Sequence, residues 1–165
     1  MSPSDHVTEP QNPMTTTEQS DGKRALERLL TICSDGVEGY RRGAASVRAP
    51  HLHALLQRNE VEREEIVSVL INALVELGAK RDHGGSLTGA LHRGWLGALR
   101  ATHAEHAVLR ECMRGDEVTL AAFAEALSHD LPTDIRARVD IQRGRVASAL
   151  ERLFAADGTQ WPVAH

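Results

Sequence analysis

The residues of this 165-residue chain that could do chemistry are polar side chains that interrupt four apolar stripes. Each interruption falls near the middle of a stripe, and the residues are Glu38, Glu62, Asp116 or Glu117, and Gln142. If the four stripes belong to four packed helices, these polar groups meet at one level of the core. Because an isolated carboxylate is costly to bury, this level has to contain a cation, a basic side chain or hydrogen bonds.

A metal site is one interpretation of this level, because carboxylates that project inward from facing helices are the ligands of di-iron bundles. The hypothesis assigns iron or manganese to Glu38, Glu62, Glu117, Glu111 and His92. Such centres use two Glu-x-x-His repeats. In this chain Glu65 stands three residues after Glu62, and Arg145 occupies the corresponding position of the fourth stripe, so both histidines are missing.

A closed layer of ion pairs, which fixes helix register without a metal, is the other interpretation. Arg58 lies one helical turn before Glu62, and Arg143 and Arg145 lie on the fourth stripe. The sequence favours this second interpretation. It describes a structural or interaction module that binds no cofactor and is not an enzyme, with the metal-binding protein as the alternative.

Four long amphipathic helices are needed to position these residues, and the apolar residues recur at the helical spacing of three or four. Gly78 is a typical C-cap for the second helix, and the Leu131-Pro132 pair separates the third helix from the fourth. The predicted helices cover about residues 23–49, 50–77, 105–127 and 133–153.

The connection between the second and third helices is long, and Ser86 to Leu99 within it has the pattern of a short helix. Tight turns would need no such connection, whereas a bundle that returns the chain to its opposite end needs about one helix length. The sequence therefore predicts an all-α, ferritin-like four-helix bundle whose long crossover contains a short extra helix. We expect the crossover to pack on Gly36, Gly39 and Gly43.

Composition agrees with one helical domain, since 41% of the residues are hydrophobic, 25% are charged and only 3% are aromatic. A core with so few aromatic residues has to be aliphatic. Residues 1–22 are rich in Ser, Thr, Pro and Gln, and we expect them to be disordered. The bundle is expected to occupy residues 23–155, followed by a flexible tail at 156–165.

Several functional classes lack support in the sequence. The net charge is −4 and no basic stripe occurs, so we expect no nucleic-acid partner. No apolar run suits a secretory signal or a membrane span, which predicts a cytoplasmic protein without a membrane partner. Cys33 and Cys112 fall on apolar stripes and are expected to be buried thiols. The common nucleophile, phosphate-binding and dinucleotide motifs are absent.

Four sequence motifs resemble a bacterial domain-of-unknown-function family of ferritin-like four-helix-bundle proteins, over about residues 24–153. The motifs are D-G-V-E-G-Y (35–40), G-S-L-T-G-A-L-H-R-G-W (85–95), R-E-C-M-R-G-D-E (110–117) and D-L-P (130–132). By analogy with the ferritin superfamily, the resemblance implies iron handling or a stress response, and a homodimer. The chain has Val118 and Leu150 where family members often carry a second acidic residue and a histidine.

Overall fold

The computed structural model describes residues 16–79 and 104–158, which form four α-helices and no strand. The helices are α1 (Thr16–Ser46), α2 (Pro50–Glu76), α3 (Ala104–Ser128) and α4 (Thr133–Asp157). No helix in these two ranges combines the length and apolar character that crossing a membrane requires. The predicted all-α class with four long helices is confirmed.

The first helix starts earlier than its apolar pattern does, at Thr16 rather than Lys23. Residues 16–22 contain no large apolar side chain, and the first buried hydrophobic residue is Ala25. Gly22 is nevertheless buried, and a Cβ atom there would lie 2.9 Å from the carbonyl oxygen of Asp130. Adding a residue to an existing helix is easy compared with nucleating one, and such turns need no apolar face. Apolar periodicity indicates buried helix faces, so a prediction based on it does not include these polar turns.

The second helix ends at a glycine, as predicted. Gly78 adopts a positive φ of 78°, which disfavours any residue with a Cβ atom. Its N–H donates to the carbonyl of Val75 at 2.9 Å, and the N–H of Ala79 donates to the carbonyl of Leu74 at 2.9 Å. These bonds satisfy two of the carbonyl groups that a helix end leaves without an intrahelical partner.

Each helix packs against two neighbours. The backbone of α1 packs against those of α2 and α3, and the backbone of α4 packs against the same two helices. The backbones of α2 and α3 are not neighbours, and the long side chain of Arg63 connects these two helices across the core. Arg28 near the start of α1 pairs with Glu125 near the end of α3, so these helices are antiparallel. Glu76 at the end of α2 likewise pairs with Arg138 near the start of α4.

The helix directions place the two ends of the connection between α2 and α3 far apart. The backbone before α2 is bonded to Glu105 at the start of α3, so the two helices begin at the same end of the bundle and run parallel. Residues 79 and 104 consequently lie at opposite ends. The predicted short helix at 86–99, and its expected packing on glycines, fall outside the described residues.

The core consists of two aliphatic clusters, one toward each end of the bundle. The first apolar cluster includes Leu26, Leu29, Ile66, Leu70, Phe123, Ile135, Val139 and Val146. The second apolar cluster includes Leu52, Leu56, Val108, Leu109, Leu150 and Leu153. All four helices contribute to each cluster, and α1 contributes Tyr40 and Ala44 to the second. The expected aliphatic core is confirmed.

The carboxylate of Glu105 connects the α1–α2 turn to the start of α3. It accepts hydrogen bonds from the backbone N–H groups of Arg48 at 2.7 Å and Ala49 at 2.8 Å. These two bonds, that of Ala49 first, hold the pKa of Glu105 below its ordinary value.

We expect Glu105→Gln to lower the urea midpoint of unfolding at neutral pH. A carboxyl whose folded-state pKa is depressed stabilises the fold above its unfolded-state pKa and loses that contribution as pH falls through the folded-state pKa. The difference between the wild type and Glu105→Gln should therefore disappear in strong acid. Urea unfolding across a pH series measures it, and a difference that is constant with pH would contradict the assignment.

Candidate functional site

A layer of buried polar side chains separates the two apolar clusters. Tyr40 comes from α1, Arg63 from α2, and Asp116 and Thr119 from α3. Arg63 and Asp116 are each only 2% exposed. We call these four residues the polar layer.

Hydrogen bonds connect all members of the polar layer. Arg63 donates from Nη2 to Oδ1 of Asp116 at 2.6 Å and from Nη1 to Oγ1 of Thr119 at 3.0 Å. The hydroxyl of Tyr40 donates to Oδ2 of Asp116 at 2.5 Å. Thr119 in turn donates to the carbonyl of Gly115 at 2.8 Å. Both carboxylate oxygens of Asp116 thus have a donor from the same core.

A glycine provides the space that the Arg63 side chain needs. A Cβ atom at Gly36 would lie 3.0 Å from Nη1 of Arg63, closer than an ordinary contact. Glycine inside a helix is about 1 kcal/mol less favourable than alanine. At this position of α1 the absence of a side chain allows the guanidinium to lie between α1 and α3.

Burial and charge act in opposite directions on the ion pair. Burial raises the pKa of Asp116, and the charge and hydrogen bonds of Arg63 and Tyr40 oppose this rise. Burial acts to lower the pKa of Arg63, but the Asp116 carboxylate outweighs it and the pKa is raised. The rise at Asp116 disfavours its ionisation, whereas the rise at Arg63 favours its charge. We infer an ion pair, since two donors point at the carboxylate and arginine stays protonated.

Tyr40 acts as a hydrogen-bond donor in this layer. Burial and the neighbouring negative charge of Asp116 raise the pKa of Tyr40 well above its ordinary value. The phenol therefore stays protonated at physiological pH. Its ring also lies 5.8 Å from the guanidinium carbon of Arg63, within the range of a cation–π contact.

Polar contacts between α2 and α4 extend this region on the other side of α2. Arg152 donates to Oδ1 of Asn59, a residue that is 1% exposed, at 3.0 Å, and it also pairs with Glu62. Arg145 donates to Oε1 of the buried Gln142 at 3.1 Å. The predicted interruptions Glu62 and Gln142 therefore have arginine partners from α4.

The remaining predicted ligands lie apart from the polar layer. Glu38 pairs with Arg41 on its own helix at 2.9 Å, and Glu111 pairs with Arg114. The side chain of Glu117 is exposed, so of the two alternatives on α3 it is Asp116 that enters the core.

The four predicted metal ligands that lie in the described part of the chain do not form one group. Within residues 16–79 and 104–158, no three His, Cys, Asp or Glu side chains form a group that could hold a metal ion. Glu62 is instead bound by Arg58 at 3.0 Å and by Arg152. Burial acts to raise the pKa of Glu62, and the two arginines outweigh it and lower that pKa. His92 lies outside the described residues, and the metal hypothesis that includes it stays a prediction.

The residue that sequence reasoning missed is Arg63. From Leu52 to Ala73 the buried residues of α2 are spaced alternately four and three apart, in the order Leu52, Leu56, Asn59, Arg63, Ile66, Leu70 and Ala73, and Leu74 follows them. Arg63 occupies one of these positions, and Glu62 lies one residue away from it. The signal was therefore the strict spacing itself, which selects the arginine.

Both cysteines are buried free thiols, as predicted. Burial raises the pKa of Cys33 to about 11, against the effect of the nearby Arg63. Burial, followed by the charges of Asp116 and Glu111, raises the pKa of Cys112 to about 12. Neither sulfur forms a thiolate at neutral pH, so neither is suited to act as a nucleophile.

A cleft of about 360 Å³ lies between α1 and α3, above the polar layer, and we call it the α1–α3 cleft. Tyr40 and Asp116 form part of its lining, as do two helix-interior glycines, Gly39 and Gly115. A Cβ atom built on either glycine would meet no atom within 4 Å. The cleft is open because facing positions on both helices lack side chains.

Comparison with protein-family models matches residues 22–129 to a domain of unknown function, DUF2383. The matched range contains most of α1 and all of α2 and α3, which carry every member of the polar layer. A search of curated proteins finds no match to the chain.

Proposed function

Because this chain belongs to the DUF2383 family, whose description assigns no activity, we propose a function from its own geometry. The chain is a non-catalytic helical-bundle module of ferritin-like topology, and its buried ion pair fixes the register of the helices. The observation that carries this proposal is that both carboxylate oxygens of the buried Asp116 accept a hydrogen bond from a side chain of the core. Arg63 and Tyr40 each donate to one oxygen of this carboxylate, which is only 2% exposed, so a metal or a substrate that used it would compete with both donors.

The helix arrangement supports the ferritin-like part of the proposal. α2 and α3 lie at diagonal corners and run parallel, and each of the other helices packs against both of them. A bundle with one long crossover has this arrangement, whereas an up-down-up-down bundle places its second and third helices side by side.

Register is the property that a buried ion pair controls best. Sliding α2 against α3 by one turn would separate Arg63 from Asp116 and bury both charges against aliphatic side chains of the two clusters. A uniform aliphatic core would tolerate such a slip more easily. The polar layer therefore selects one alignment among several of similar apolar burial.

The proposed module works in the cytoplasm through contacts with protein, without a nucleic-acid or membrane partner. Its outer surface carries ion pairs such as Arg41 with Glu60 and Arg138 with Glu76, which suit an aqueous environment. The homodimer is the first assembly to test, by sedimentation of the purified chain.

Glu62→Ala tests the proposal against a metal centre. We expect no transition metal in the wild type or the variant when both are purified without chelators or a His-tag. The variant should lose about 1–2 kcal/mol of unfolding free energy, because the partly buried Arg152 loses a charged acceptor. Elemental analysis and urea unfolding are the two measurements.

Glu151→Ala is the matched control, since it removes an exposed carboxylate from the neighbouring α4 and should change stability little. One metal ion per chain in the wild type, absent from Glu62→Ala and retained in Glu151→Ala, would overturn the proposal. That result would identify a carboxylate metal centre.

A further inference from the structure

The connection between α2 and α3 joins opposite ends of the bundle. Residue 79 lies at one end and residue 104 at the other, with 24 residues between them. A 25-residue helix is about 38 Å long. Twenty-four residues reach about 80 Å when fully extended, so the segment is long enough to follow the surface of the bundle.

The surfaces available to this segment differ in polarity. α2 and α3 occupy diagonal corners, so the route passes over α1 or over α4. Ion pairs of Arg138 and Arg145 with Glu76 and Glu65 bridge the α2–α4 face, and ion pairs of Arg41 with Glu60 and Glu64 bridge the α1–α2 face. The α1–α3 cleft is mainly apolar, and at its edge Val118 is 52% exposed. An apolar segment is therefore better accommodated on the α1–α3 side.

We propose that residues 86–99 of this same chain occupy the α1–α3 cleft, and that Trp95 is the side chain that fills it. The segment carries large apolar residues at a constant spacing of four, and they are Leu87, Leu91, Trp95 and Leu99. The inference concerns an intramolecular contact and goes beyond the proposed function.

The distances along the chain allow Trp95 to reach the cleft. Gly115 lies eleven residues into α3, about 16 Å from the start of that helix. Trp95 precedes Ala104 by nine residues, which span about 13 Å if helical and about 30 Å if extended. The cleft lies within this interval.

Tethering favours this occupant over a second copy of the protein. The segment is attached to helices on both sides of the bundle, so its local concentration at the surface is high and its association is intramolecular. A second copy would have to compensate for lost translational and rotational freedom.

Tryptophan fluorescence tests the inference, because the chain contains only Trp95 and Trp161. The variant Trp161→Phe leaves Trp95 as the sole tryptophan. We expect its emission to be blue-shifted and weakly quenched by acrylamide in the folded protein, and red-shifted and strongly quenched in urea.

Filling the cleft should then displace the indole. In the Trp161→Phe background, Gly39→Leu and Gly115→Leu each add a side chain where a Cβ atom meets nothing within 4 Å. We expect both to shift Trp95 emission to the red and to raise acrylamide quenching several-fold. Gly144→Leu is the matched control: it also adds a side chain in open space, on α4 and outside the cleft lining, and should change neither signal.

The inference is overturned if Trp95 in the folded protein is quenched as strongly as in urea. It is also overturned if Gly144→Leu shifts the emission as much as Gly39→Leu does. A blue shift that appears only at high protein concentration, together with a dimer in sedimentation, would mean that a second copy covers the cleft. Gly115→Leu lies on the opposite wall and keeps the test available if Gly39→Leu does not fold.

Discussion

Asp116→Asn is expected to lower the free energy of unfolding by about 3–5 kcal/mol, since it leaves a buried charge without its partner. The substitution preserves the size and shape of the side chain. Arg63, which is 2% exposed, then retains only the neutral acceptor Thr119 and the new amide oxygen. Urea unfolding followed by far-ultraviolet circular dichroism measures the loss.

Asp140→Asn is the control for removing a carboxylate that pairs with an arginine. Asp140 pairs with Arg143 on the surface of α4, and its side chain is 54% exposed. Exposed pairs of this kind contribute about 0–1 kcal/mol. If Asp116→Asn lost no more than Asp140→Asn, Arg63 would have to find water or another acceptor, and the polar layer would not be what holds the helices in place.

Replacing Tyr40, Arg63 and Asp116, three of the four residues of the polar layer, by apolar residues is expected to recover most of that loss. The triple variant Arg63→Met, Asp116→Leu, Tyr40→Phe removes both charges and the phenol hydroxyl that donates to Asp116. Leaving that hydroxyl buried without an acceptor would cost about 1–3 kcal/mol. Apolar replacements of buried ion pairs are often neutral or stabilising by about 1–4 kcal/mol, so the triple variant should approach or exceed the wild type.

The triple variant also separates stability from register. If the ion pair selects one alignment of the helices, the stable apolar variant should show more than one set of backbone amide signals in its nitrogen–proton correlation spectrum. The wild type should show one set. If the triple variant showed a single sharp set of signals, the stability argument would still hold. The proposal that the ion pair determines the helix register would be contradicted.

The helices of this chain could be predicted from sequence because their signals are local. Gly78 and the Leu131-Pro132 pair mark helix boundaries, because each restricts the backbone conformation at its own position. The aliphatic stripes indicate which residues of each helix are buried. Asp116 was recognisable in the same way, as a carboxylate on a buried face.

The partner of Asp116 could not be predicted from those signals. Arg63 and Glu62 are adjacent in the chain, and both are charged residues on or near the buried face of α2. The spacing of the buried residues in α2 favours Arg63 over Glu62, but it does not identify an acceptor for the charge of Arg63. That acceptor is a carboxylate in α3, and a glycine in α1 leaves room for the guanidinium. The residues that form this contact therefore lie on three different helices. Tyr40 illustrates the same point, because its apolar position in α1 indicates burial without indicating that its hydroxyl has an acceptor.

The contribution of α4 to both apolar clusters bears on where this domain can be cut. The family match ends at residue 129, before α4 begins. Ile135, Val139 and Val146 belong to the first cluster, and Leu150 and Leu153 belong to the second. A fragment limited to the matched range would expose the partners of all five side chains to water. The autonomous folding unit therefore has to extend through α4. We expect a fragment that ends before α4 to aggregate rather than to fold as a minimal domain.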